Sequence, residues 1–229
     1  MSNLARAAKY FQGLPHQSEA WEALEARLPI FVVEEFLSAY REPSEAPQTP
    51  ESKHIFSPEI FSRLTGYSAS LFTETECRDA DRLMNETGFA AHPEAMAMLV
   101  ANIMHETGNM RWLKELASGW AYEGRADLGN TQPGDGPLFR GSGVLQLTGR
   151  HNYTRLSQAL GDTRVVAEGC DYVASTYPFM SAKTWIVEND LLNVALTQGF
   201  DAVCRRINGG WNGYEDRKAK YKICRDVLI

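Results

Sequence analysis

The 229-residue chain is 44% hydrophobic and 23% charged, with 18 glycines and 10 prolines, which excludes collagen-like, low-complexity and disordered classes. Its formal charge is −6, from 23 Lys+Arg against 29 Asp+Glu, with a pI near 5.4, so it carries no electrostatic footprint for nucleic acid or an anionic surface. No apolar run approaches the ~18 residues of a membrane span, so no transmembrane segment is expected.

In chain order, QSEAWEALEARL at 17–28 places Trp21, Leu24 and Leu28 on one stripe with acids opposite, which predicts an amphipathic helix. Pro29 interrupts it, and Phe31, Val32, Phe36, Leu37 and Tyr40 continue the stripe in a second helix. We therefore expect an N-terminal helical hairpin module over 1–41. Residues 42–53 hold three prolines and no large apolar side chain, and read as a linker. A larger domain over 54–229 follows. There Ser57-Pro58-Glu59 is a helix start, and Thr73 with Glu76 forms a capping box for a helix running through Met84. Pro93–His105 predicts a strongly apolar helix that Gly108-Asn109 can break. The six glycines between 119 and 141 predict loop, and Val144–Thr148 predicts a short strand. Helical patterns return at 153–160, 181–188, 200–207 and 216–227. The expected fold is mainly α with a small β element. Cys77, Cys170, Cys204 and Cys224 form no Cys-x-x-Cys pair and are expected to be free, buried thiols.

Glu106 ends the apolar helix. Desolvation at such a place disfavours the charged form, as a general acid requires; the alternative is an exposed acid at a fraying helix end. A zinc-protease His-Glu-x-x-His motif is excluded, because position 109 is Asn and no other histidine has helical spacing with His105. No metal and no cofactor are expected. Glu115 lies nine residues after Glu106; on an unbroken helix the two would point ~180° apart, separated by ~13 Å. A break at Gly108-Asn109 lets both face one groove, and inverting glycoside hydrolysis asks for two carboxyls about 6.5–9.5 Å apart. Glu123, in the loop Ala121-Tyr122-Glu123-Gly124, is a second candidate partner, and spacing does not choose between them. Alternation along 144–148 puts Gln146 and Thr148 on one face, an amide and a hydroxyl suited to a sugar or an ordered water. In INGGWNGYEDR, 207–217, Trp211 and Tyr214 either stack on sugars or pack into the core.

Four ordered blocks carry a resemblance over about three quarters of the chain: HETG at 105–108; GNTQPGDG at 129–136 with FRGSGVLQLTGRHNY at 139–153; YP at 177–178; and INGGWNG with DR at 207–217. Together they resemble glycoside hydrolase family 19, the chitinase-like enzymes, and phage or prophage endolysins within it. The resemblance implies a mainly α, lysozyme-like (α+β) fold and an inverting single displacement. It implies Glu106 as general acid, Glu115 as general base, and Thr148 as a residue holding the attacking water. His105, Tyr122, Gln146, Asn152, Tyr153, Asn208 and Arg217 would line the sugar groove or brace the carboxylates. The implied partner is a peptidoglycan or chitin-type polysaccharide, cleaved at β-1,4 bonds, with a catalytically idle glycan-binding protein as the remaining alternative. A monomer is expected. Because the first residues, MSNLAR, show no signal peptide, we expect a protein of a host or bacterial cytoplasm that acts in the periplasm or cell wall after release.

Overall fold

The computed structural model describes residues 53–229. The expected hairpin over 1–41 and all but the last residue of the expected linker over 42–53 lie outside the described residues.

Helix α1, Pro58–Thr65, starts where Ser57 Oγ accepts the Ile60 N–H at 3.2 Å and Pro58 takes the first position. Helix α2, Glu74–Glu86, opens on the expected capping box: Thr73 Oγ1 accepts the Glu76 N–H, and Glu76 Oε2 accepts the Thr73 N–H. Helix α3, Pro93–Glu106, is buried along nearly all its length, from Ala95 to Met104. A helix that is apolar all round has no outward face. It therefore forms the centre of the main core cluster, with the C-terminal helix α10, Tyr214–Leu228, packed along it.

Between these lie α4 (Asp135–Leu138), α5 (Arg150–Leu160), α6 (Arg164–Thr176), α7 (Lys183–Glu188), α8 (Leu191–Gln198) and α9 (Phe200–Asn208). A second, smaller apolar cluster joins Phe139, Tyr153, Leu156, Val165, Cys170 and Val173. All four cysteines are free and buried. The fold is mainly α, as expected. The whole β content of the described residues is two isolated antiparallel bridges, Lys114 with Ser142 and Ser142 with Leu147.

The expected strand over 144–148 is a correction. Ser142 and Leu147 exchange both backbone hydrogen bonds, at 3.0 and 2.7 Å, so the residues between them are a tight turn. Gly143 and Gln146 have φ of +77° and +54°, left-handed values that no strand contains. Three further helices, the one-turn α4 within the expected loop and the longer α6 and α8, were not legible as such. Helix α6 is kinked at Gly169, where a Cβ would stand 2.2 Å from the Leu138 carbonyl oxygen, so glycine is there for close approach rather than as a terminator.

Asp79 on α2 is the unusual core residue. It is buried and accepts the Phe179 and Met180 N–H groups on one oxygen, at 2.6 and 3.1 Å. Desolvation pushes its carboxyl up to about 7, against the pull of those two hydrogen bonds. The folded chain thus keeps this proton at pH values where the unfolded chain, near 3.8, has lost it. Stability should fall as pH rises through that window, by up to ~1.4 kcal/mol per unit. We expect the Tm of Asp79→Asn, which keeps an acceptor for both N–H groups, to decline less than wild type between pH 5 and 7 in thermal melts. Parallel pH curves for the two proteins would refute this.

Candidate active site

The chain reverses directly after Glu106. Thr107 caps α3, its Oγ1 donating to the Ile103 carbonyl and accepting the Met110 N–H at 2.8 Å. Gly108, Asn109 and Met110 then take φ of +57°, +62° and +65° in succession. Three left-handed residues in a row cannot continue a right-handed helix. The Asn109 N–H returns to the Met104 carbonyl and the Trp112 N–H to that of Thr107, so backbone hydrogen bonds close the bend. Residues 113–115 then run antiparallel to 141–143: the Gly143 N–H meets the Leu113 carbonyl at 2.7 Å, and the Glu115 N–H meets that of Gly141 at 2.8 Å. Glu115 thus leaves the line of α3 and is built into the segment that carries Gly141 to Thr148.

Glu106 is held from the core side. Its Oε1 accepts a 2.5 Å hydrogen bond from Arg217 on α10, whose side chain is 1% exposed against 30% for Glu106. Arg217 also donates to Asn102 Oδ1 at 2.8 Å and to the Asn212 carbonyl at 3.2 Å. Asn102, fully buried one turn before Glu106, anchors its own amide on the Met98 carbonyl. Sequence reasoning missed Asn102. The signal was a lone amide in the apolar run AMAMLVANIM, four residues before the acid. His105 is pinned beside the site by Asp216, with Nδ1 to Oδ2 at 2.6 Å. Burial opposes ionisation of Asp216, but hydrogen bonds from His105 and Lys220 outweigh it and hold its carboxyl below the usual range.

Glu115 is held by neutral donors. Its Oε2 accepts the Gly141 N–H at 3.0 Å and its Oε1 the Tyr122 hydroxyl at 3.2 Å. Burial, together with the charge of Glu115, raises the Tyr122 pKa, so the phenol stays protonated and remains a donor. Tyr122, expected on the sugar groove, thus binds the carboxylate. Glu123 is differently employed. Its two oxygens accept the Gly134 and Gly136 N–H groups, both at 2.8 Å, and so fasten the glycine-rich loop.

Gln146, Thr148 and Asn152 line one cavity of about 240 Å³. Thr148 Oγ1 donates to the Gln146 carbonyl, and the Asn152 amide donates to that of Thr148, both at 2.9 Å. Gln146 and Glu115 both come close to Gly141: a methyl there would stand 2.5 Å from Gln146 Oε1 and 3.1 Å from Glu115 Oε2. Thr148 and Gln146 meet here through the turn, not through strand alternation.

Two residues expected at the groove are corrected. Arg217 and Tyr153 are buried, and no sugar can reach them. Tyr153 shares a 2.7 Å hydrogen bond with Ser142 and donates to the Arg140 carbonyl, bracing both neighbours of Gly141. Both are bracing residues, the second of the two roles the resemblance implied. Asn208, at the end of α9, has a buried Oδ1 that meets no donor among the described residues. Trp211 is largely exposed, edge-on to Tyr214, and Tyr214 packs against Phe200.

Arg217→Met removes the cation and strands Asn102 Oδ1. We expect a loss of about 2–4 kcal/mol, below the full cost of breaking a buried pair because Glu106 is partly solvated. Urea denaturation measures it, and a change under about 0.5 kcal/mol would show that this cation does not hold α3 and α10 together.

No family model matches the chain. It is 32% identical over 111 residues to a glycosyl hydrolase family 19 domain-containing protein of Haemophilus influenzae, covering 47% of this chain and 52% of that protein. It is 34% identical over 128 residues to an endochitinase of Arabidopsis thaliana, covering 54% of this chain and 42% of that one. The chain therefore spans about half the length of the curated relatives it matches. Chitinase C of Streptomyces griseus superposes with a TM-score of 0.54 at 20% identity, over 78% of this chain and 95% of that chain. A bacterial family 19 chitinase superposes with a TM-score of 0.56 at 19% identity, over 76% and 95%. The chain is thus similar in sequence to glycosyl hydrolase family 19 proteins and has the lysozyme-like, mainly α fold of the family 19 chitinases.

Proposed function

We propose that this chain is a glycoside hydrolase that cleaves the β-1,4 glycan of bacterial peptidoglycan by an inverting, two-carboxylate mechanism. The observation that carries the reading is the reversal after Glu106, which takes Glu115 off the line of α3 and gives the two acids separate, dissimilar partners. Glu106, with Arg217 on Oε1, keeps Oε2 to donate a proton to the glycosidic oxygen. As that proton leaves, the buried guanidinium stabilises the carboxylate that forms. Among the described residues Glu115 has only neutral donors, so accepting a proton from water costs it no ion pair there. Thr148 Oγ1, whose own proton is committed to the Gln146 carbonyl, can only accept from that water and so orients it. The endochitinase relative favours a second reading, in which the polymer is chitin and the chemistry is the same.

Purified sacculi should release reducing ends with the wild type. Glu106→Gln and Glu115→Gln should each lower that rate by about 10²–10⁴-fold, the usual contribution of a positioned acid or base. Proton NMR of the first products should show the α-anomer from the β-linked substrate. A β-anomer would overturn inversion, and binding to sacculi without release would make the protein a glycan-binding one. Release from chitin oligosaccharides alone would select the second reading.

A further inference from the structure

The cavity that holds Gln146, Thr148 and Asn152 does not end with them. Its opposite wall is α7, which contributes Trp185 and Glu188, while α5 continues from Asn152 to Arg155. Asn152 with Arg155, and Trp185 with Glu188, are each three residues apart on a helix and so share a face. Each helix thus presents an uncharged contact and, beyond it, a charge. Arg155 and Glu188 are ion-paired across the gap, yet both side chains stay about half exposed, at 42% and 54%. A solvated pair of this kind contributes little to stability, and opening it for a ligand is correspondingly cheap.

We infer that this cavity is a subsite for a peptide substituent on the sugar chain, with Arg155 receiving its carboxylate and Glu188 its ammonium group. The inference rests on the glycosidase reading above and names its substrate class. An unsubstituted N-acetylglucosamine polymer is neutral, so at the mouth it could form hydrogen bonds but no ion pair with either charge. A polymer bearing short peptides offers both signs. It can replace each partner of the pair without stranding the other, which avoids the cost of an unpaired charge in a concave site. The half-buried indole of Trp185 supplies an apolar floor for the peptide's aliphatic part.

Initial rates on purified sacculi and on chitin hexasaccharide test this for the wild type, Arg155→Ala, Glu188→Gln and the charge-swapped double variant Arg155→Glu/Glu188→Arg. Both single variants should lose at least fivefold in kcat/KM on sacculi and stay within twofold of wild type on the hexasaccharide. The swapped pair should not recover the sacculus rate, because it meets the peptide charges in the wrong order. Recovery by the swap, or equal losses on both substrates, would overturn the inference by showing a purely structural pair. Cleavage of the hexasaccharide but not of sacculi by the wild type would overturn it while leaving the glycosidase intact. A wild type inactive on both substrates would end the glycosidase reading and this one with it.

Discussion

The buried guanidinium of Arg217 is the constraint on which the site depends. A cation with 1% exposure cannot be left without compensation, and all its partners are fixed. Asn102 and Glu106 are one turn apart on α3, and the Asn212 carbonyl lies just before α10. The same three contacts that satisfy the charge therefore set the register of α10 against the central helix. They also fix the direction of the Glu106 carboxylate. Core packing and the placement of the acid are one requirement here, since the helix that supplies the acid is also the centre of the core.

Glu115 depends on backbone instead of charge. Its main chain is bonded to the Gly141 carbonyl and its carboxylate to the Gly141 N–H, so one residue grips both ends. Tyr153 in turn holds the Arg140 carbonyl and Ser142, and thereby the peptide units around that glycine. The contrast between the two acids fits the roles proposed for them. A group that finishes as a carboxylate gains from a neighbouring cation, whereas a group that finishes protonated would lose by it. The glycine-rich loop is similarly over-determined: Glu123 takes two of its amides, and Asp135 forms a forked pair with Arg150 at the start of α5. That pair holds the Asp135 carboxyl below its usual range, chiefly through the Arg150 hydrogen bonds.

Where a signal depends on neighbours in the chain, the sequence carried it. The Ser57-Pro58 start, the Thr73–Glu76 box and the apolar period of 93–105 are local physics, and the helices lie where these place them. The ordered blocks from HETG to INGGWNG likewise carried the resemblance to glycoside hydrolase family 19 before any geometry. Five residues of alternating pattern, however, are the same in a strand as in a turn. What separated them at 144–148 was the left-handed backbone of Gly143 and Gln146, enforced by the paired bonds of Ser142 and Leu147. Helix α6 is kinked at Gly169, where Leu138 presses against it, a long-range contact that no local pattern shows.

The different partners of Glu115 and Glu123 rested on residues far along the chain: the first meets Gly141, the second Gly134 and Gly136. Burial of Arg217 and Tyr153 was equally invisible, since both are amphipathic side chains that a sequence leaves free to lie inside or out. By itself, then, the sequence determined most of the longer helices, the caps at Ser57 and Thr73 and the residue types available for chemistry, all set by short-range periodicity and turn preference. Tertiary structure alone decided which of those residues are supports and which face the groove, because desolvation and hydrogen-bond partnership belong to the folded neighbourhood and not to position in the chain.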